Sequence, residues 1–199
     1  GQLKVLLLRW KGTQEWSLPG GPIQQNEAID DAAYRVLRER TCLDRIFLKQ
    51  FHTFGELPRY DLAIIKEKLK HVIDPDIWYE RAISIGYYAL VDYSKVAPTP
   101  DQYTDECQWW DIEAIPKLLF DHNHIIDLAL KALRVELSLQ PLGLNLLPEK
   151  FTMPELQRMY EIILGKTLDP RNFYKKVKGL AILTRLNERK KGGAHKAPY

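Results

Sequence analysis

Residues 17–43, "SLPGGPIQQNEAIDDAAYRVLRERTCL", decide the fold of the chain. The Gly20-Gly21 turn leads into a stretch, Ala28 to Thr41, in which Ile29, Ala32, Ala33, Val36 and Leu37 recur at helical spacing. This is an amphipathic helix entered from a glycine turn. At about 100° per residue, positions 36, 39 and 40 share an arc of about 100°, so side chains there converge on one face. They are Val36, Glu39 and Arg40: an aliphatic, a single acid and a guanidinium.

Upstream, "LKVLLLR" (3–9) is a continuous apolar run ending in polar residues and reads as a buried strand. A central strand starting this abruptly predicts that native sequence precedes residue 1. Downstream, "IFLKQFHTF" (46–54) and "AISIGYYALVDY" (82–93) are rich in β-branched and aromatic residues, as strands of a mixed sheet would be. Between them "YDLAIIKEKLKHVIDPDIWY" reads as an inserted helix and loop, and "CQWWDI" (107–112) as a further strand. "HIIDLALKALRVEL" (124–137) places Ile125, Leu128, Ala129, Ala132, Leu133 and Leu137 on one side of a helix. Two prolines and a glycine in "LSLQPLGLNLLPEK" then mark a boundary near 138–150.

Residues 20–43 resemble the Nudix box: Gly, five residues, Glu, seven residues, then Arg-Glu-apolar-x-Glu-Glu-x-Gly-apolar. Gly21, Glu27, Arg35, Leu37, Glu39 and Leu43 match, preceded by Trp16-Ser17-Leu18-Pro19-Gly20, and a register this long is a specific signal. The resemblance runs through "HTFGELPR", "ERAISIGYYALVDY" and "CQWWDIEAIPKLLFDH", and implies the Nudix α/β/α sandwich with a mixed sheet. In catalytic members the helix carboxylates hold Mg²⁺ against a diphosphate, because that ion requires oxygen ligands. Val36 and Arg40 replace two of those acids, and Cys42 stands where the pattern has glycine. The residual box, Gly21, Glu27, Arg35 and Glu39, therefore predicts no hydrolysis and no metal beyond a contact at Glu39. Glu106 stands where many Nudix enzymes carry an auxiliary acid. In the first turn of the helix, Glu27 is favoured by the macrodipole whatever its chemistry.

The C-terminal segment "FTMPELQRMYEIILGKTLDPRNFYKKVKGLAILTRLNERKKGGAHKAPY" carries its own punctuation. Thr152 and Glu155 make a capping-box pattern; Leu156, Met159, Tyr160 and Ile163 form an apolar stripe that Gly165 ends. After a short turn, Asp169 as N-cap and Pro170 at the first helical position open a second helix to about Lys178. Phe173, Val177 and Leu180 lie on one side of it, and Arg171, Lys175 and Lys178 opposite. The tail then alternates toward a strand and places Arg189, Lys190 and Lys191 beside Gly192-Gly193, as the tip of a basic wing would. The pattern is a winged helix-turn-helix, with Arg171, Asn172, Lys175 and Lys178 directed at duplex DNA and the wing at phosphates. The chain stops where a second wing strand is expected, which predicts native sequence beyond residue 199.

Charge agrees with this division. Residues 150–199 hold 12 Lys+Arg and 4 Asp+Glu, while the preceding 149 hold 17 and 22, so a basic module follows an acidic body. No apolar run approaches a membrane span and no signal-peptide pattern opens the chain, which reads as soluble, cytoplasmic and without membrane partners. Cys42 and Cys107 stand alone, without disulfide or zinc spacing, as suits a reducing compartment.

"PLGLNLLPEKFTMPELQRMYEIILGKTLDPRNFYKKV" (141–177) is similar to the linker and winged-helix segment of Nudix-related transcriptional regulators, whose Nudix fold senses an effector. The resemblance implies an effector-sensing domain over 1–140, a linker over 141–150 and a DNA-binding domain over 151–199. It also implies a homodimer on a two-fold operator and an effector that is either an ADP-ribose-type nucleotide or a simple sugar such as arabinose. Trp16, Glu39, Phe54, Arg59, Arg81 and Tyr88 are the expected effector contacts, as aromatics offer stacking faces and arginines bind hydroxyls or phosphates. No cofactor is required on this reading. The alternatives are an active Nudix hydrolase of ADP-ribose-like diphosphates, which alone would need Mg²⁺, and an interaction adaptor built on an inactive Nudix fold.

Overall fold

The structure is a computed structural model describing residues 2–41, 48–74, 81–139, 147, 150–180, 183–186 and 188. By internal contacts the chain forms two compact units, Gln2–Ala132 and Leu133–Tyr199 with Gly1. Nearly all of the linker 141–150 lies outside the described residues.

In the N-terminal unit, β1 (Lys4–Trp10) is the centre of a three-stranded sheet ordered β2 (Trp16–Ser17), β1, β5 (Thr104–Asp111). Its continuous apolar run is explained by burial on both faces, since Leu6, Leu7 and Leu8 are all inaccessible. On one face Leu7 joins Trp16, Leu118 and Ile126, with Val5 and Trp110 packed against them. A second sheet pairs β3 (Leu48–Phe54) with β4 (Ser84–Ala89). Where a mixed sheet was expected, every pairing among the described strands is antiparallel. The short Lys11–Glu15 connection makes β1 and β2 a hairpin, in which parallel pairing is impossible.

The register of β3 on β4 shifts between Gln50 and His52, leaving Phe51 without a partner. Its ring lies across Gly86, where an added Cβ would sit 2.6 Å from Phe51 Cζ and 2.9 Å from Phe54 Cε2. The glycine is required by that close approach.

α1 (Ile29–Thr41) carries Asp30 and Asp31 in its first turn and Arg38 and Arg40 in its last, both favourable to the helix dipole. α2 (Leu62–Leu69) is capped by Asp61, whose carboxylate accepts from the Ala63 and Ile64 amides at 2.9 and 3.3 Å. It buries Ile65 and Leu69 on Leu119. A 3-10 turn spans Tyr93–Lys95, and α3 (His122–Leu139) begins in this unit, its last turns belonging to the C-terminal one.

In the C-terminal unit, α4 (Met153–Leu164) begins at the expected capping box, Glu155 accepting from the Thr152 amide at 2.8 Å, and ends at Gly165 with φ 66°. Arg134 Nε donates to the Ile163 carbonyl at 3.2 Å. The turn into α5 (Pro170–Gly179) is tied by Glu161, which accepts from the Leu168 amide and from Gln157, both contacts lowering its pKa. Asp169 caps α5 through the Asn172 amide at 2.9 Å. Leu156, Tyr160, Ile163, Phe173 and Val177 form the core, with the Tyr160 and Phe173 rings edge to face at 5.3 Å. Leu180, expected on the apolar side, is 36% exposed because the helix ends before it. Residues 183–186 have no strand, and the wing residues Arg189, Lys190, Lys191, Gly192 and Gly193 lie outside the described residues, as does Cys42.

Candidate functional site

The glycine loop is held at both ends. At its start the Leu18 amide donates to His122 Nδ1 at 2.9 Å, and the Leu119 amide to the Trp16 carbonyl at 2.9 Å. This neutral-acceptor role is enforced by burial, which pushes the His122 imidazole down to about 4. Just before it Phe120 adopts φ 57°, an uncommon conformation for a bulky residue, with its ring against Tyr60 and His122. At the other end Arg35 Nε and Nη2 hold both oxygens of Glu27, at 2.7 and 2.9 Å, and Nη2 also donates to the Pro22 carbonyl at 2.8 Å. The guanidinium holds Glu27 below the usual carboxylate range, and Glu27 in turn raises the Arg35 pKa.

The helix face that would present metal acids is occupied otherwise. Val36 Cγ2 lies 2.9 Å from where a Cβ on Gly21 would be, so the aliphatic packs directly on the glycine turn. Glu39 is exposed and reached by Arg35 only at 3.4 Å. Arg40 Nη2 meets Asp101 Oδ2 at 2.8 Å, both side chains being more than four-fifths enclosed. Glu106 pairs with Arg9 at 3.0 Å. Among the described residues no group of three or more His, Cys, Asp or Glu side chains is placed to hold a metal ion. Glu27 committed to Arg35, an aliphatic at 36 and a cation at 40 do not fit a divalent ion. The Cys107 thiol on β5 is pushed up, chiefly by burial, with Arg40 pulling it down and Asp101 raising it.

The expected effector contacts divide into two groups. Trp16 is in the core, edge to face with Trp110 at 5.5 Å, and Phe54 is fully buried among Phe51, His52 and His124. Arg59 is also enclosed: Nε and Nη2 grip Asp121 at 2.7 and 2.8 Å, while Nη1 donates to Ser84 Oγ and the Ala82 carbonyl. Those three side chains are spent on internal packing, an outcome their spacing could not reveal. Glu39 and Arg81 are exposed and Tyr88 is half-buried, its ring 6.0 Å from Phe51. Sequence reading missed Asp101, Asp121, His122 and Tyr87. The Tyr87 hydroxyl donates to Asp30 and is pushed up to about 12, first by burial and then by that carboxylate. Only Asp101 had a local signal, an Asx-turn pattern with Thr104 three residues on.

On α5 the two faces separate as expected: Phe173 and Val177 are buried, whereas Arg171, Asn172, Lys175 and Lys178 are exposed. Tyr174, half exposed, lies within the same basic surface.

Comparison with known proteins agrees with both halves. Residues 1–129 match the NUDIX domain family and residues 143–199 the NrtR DNA-binding winged helix domain. The chain is 28% identical to the ADPR responsive transcriptional repressor NtrR of Acinetobacter baylyi, over 99% of this chain and 74% of that one. It is similar to the crystal structure of Shewanella oneidensis NrtR, at TM-score 0.70 and 25% identity, covering 99% of this chain and 85% of that one. Shewanella oneidensis NrtR complexed with a 27mer DNA gives TM-score 0.68 and 27% identity over the same shares. The chain belongs to the Nudix family, among its transcriptional regulators that join a degenerate Nudix domain to a DNA-binding winged helix.

Proposed function

We propose that the chain is a repressor whose Nudix unit senses an ADP-ribose-type nucleotide, and that it works as a cytoplasmic homodimer on a two-fold operator. The observation that carries the effector class is the likeness, along 99% of this chain, to a repressor described as ADPR responsive. A nucleotide diphosphate needs a cationic contact, and exposed Arg81, with half-buried Tyr88 as a stacking face and Glu39 toward ribose hydroxyls, supplies the chemistry. Arg59 is not offered, since its donors are engaged. α5 reads the operator through Arg171, Asn172, Lys175 and Lys178, and Arg189, Lys190 and Lys191 grip phosphates. No helix among the described residues is long and apolar enough to cross a membrane.

The test is operator affinity with and without ADP-ribose, NAD and a panel of pentoses. ADP-ribose is expected to weaken operator binding at least about fivefold, within the usual range of allosteric coupling, while pentoses leave it unchanged. A pentose response with none to ADP-ribose would replace the nucleotide by a sugar. Turnover of ADP-ribose with Mg²⁺ near about 1 s⁻¹ or faster would restore the hydrolase alternative.

A further inference from the structure

The catalytic acids of the Nudix helix have not simply been lost. Arg40, on the face where a divalent ion would be bound, joins α1 to the segment leading into β5. Its Nη2 pairs with Asp101 at 2.8 Å, and its carbonyl accepts from the Thr99 amide at 3.0 Å. Asp101 spends its other oxygen on the turn itself, accepting from the Tyr103 amide and Thr104 Oγ1, both at 2.8 Å. One carboxylate therefore shapes the turn and ties it to the helix. The Arg40 side chain is 11% exposed, and its buried Nε finds no hydrogen-bond partner among the described residues, so the pairing with Asp101 runs through Nη2. At this position the guanidinium offers a divalent ion repulsion in place of an oxygen ligand, and its enclosure attenuates solvent screening.

We propose that the Arg40–Asp101 pair replaces the divalent cation as the cross-link between α1 and the turn into β5, so that the sensing site is organised without metal. In a metal-dependent site a 2+ ion draws acids from helix and loop together; here the chain carries the cation itself. Removing Arg40 leaves Asp101 as an enclosed, unpaired anion. Placing an acid at position 40 sets two carboxylates against each other beside Glu39, an arrangement that attracts a cation. Arg40 is thus a positioning residue, and its charge is the switch between a metal-free and a metal-seeking site.

The experiment is thermal unfolding of the full chain in EDTA and in millimolar Mn²⁺, for the native protein, Arg40→Glu, Arg40→Gln and the swap Arg40→Glu/Asp101→Arg. The native protein is expected to melt within about 1 °C in both conditions, a shift too small to represent bound metal. Arg40→Glu should melt several degrees lower in EDTA and recover in Mn²⁺. Arg40→Gln should be lowered without recovering, and the swap should approach the native midpoint without cation. A general loss of packing would give neither the Mn²⁺ response nor rescue by the swap. If Arg40→Glu does not fold, Arg40→Gln and the swap decide. Native stabilisation by Mn²⁺ above about 2 °C, or a swap no better than Arg40→Gln, overturns the proposal. The ligand arm rests on the nucleotide reading: ADP-ribose affinity should agree within about twofold between EDTA and Mg²⁺, and a tenfold loss in EDTA also overturns it. Absence of ADP-ribose binding in both conditions would remove that effector but leave the Mn²⁺ result in force.

Discussion

At the scale of single residues, the sensing unit is governed by which charges are already taken. Arg35 is committed to Glu27, Arg40 to Asp101 and Arg59 to Asp121. Each pair ties a loop to a helix or to the start of one, so the acids and cations that pattern reading offers to a ligand become fasteners. His122 shows the same economy with a neutral group. Its Nδ1 must remain unprotonated to accept the Leu18 amide, and burial lowers its pKa to about 4 against about 6.5 in an unfolded chain. The unfolded state thus binds the extra proton first as pH falls. The contribution is complete above about pH 6.5 and is lost on acidification toward pH 4, up to about 3 kcal/mol in all. Urea denaturation between pH 7 and 4 should show this loss, and His122→Asn, whose amide oxygen can replace Nδ1 as acceptor, should flatten it. An unchanged pH slope in His122→Asn would mean that other groups carry the acid sensitivity.

Among the elements, α5 divides its labour by face, and the two faces predict different phenotypes. Lys175 is exposed and Phe173 buried against Tyr160. Lys175→Glu should leave the melting temperature nearly unchanged, yet weaken DNA binding and reduce the slope of log affinity against log salt by about 1. Phe173→Ala should destabilise the C-terminal unit by about 3 to 5 kcal/mol, through lost burial and the cavity left on α4. Fluorescence-detected DNA titration at several salt concentrations, with calorimetric melting, separates them. Equal loss of stability in both variants would contradict the assignment of faces. The turn ahead of α5 supports this division, because Glu161, Gln157 and Leu168 close it with their own hydrogen bonds. The entry angle of the recognition helix is therefore set within the unit.

For the whole molecule, sensing and reading lie in different compact units, so regulation is a coupling between two binding equilibria. Linkage requires that if ADP-ribose lowers operator affinity by some factor, operator DNA lowers ADP-ribose affinity by the same factor. Calorimetric titration of ADP-ribose into the free protein and into its operator complex should give that matching ratio. A ratio of one, with operator affinity still responsive, would show that ADP-ribose acts at a site other than the one titrated.

Much of this organisation is legible in the one-dimensional chain because it rests on local physics. Helical spacing from Ala28 to Thr41, the Thr152–Glu155 box, Pro170 behind Asp169 and the opposed faces of α5 depend on residues within a few positions of one another, and the substitutions Val36 and Arg40 are visible by register alone. Two-residue β2 is too short to show any periodicity, and the bulge at Phe51 arises from its pairing with β4. Nor could spacing assign Asp101 to Arg40, Asp121 to Arg59 or His122 to Leu18, or bury Phe54 completely. The sequence by itself determined the helices α1, α4 and α5, the opposed faces of α5 at Phe173 and Val177 and the missing acids, since periodicity and capping are local. Tertiary structure decided which charged groups are consumed inside the fold and which remain for a ligand, because ion-pair partners are chosen by the packing of distant segments.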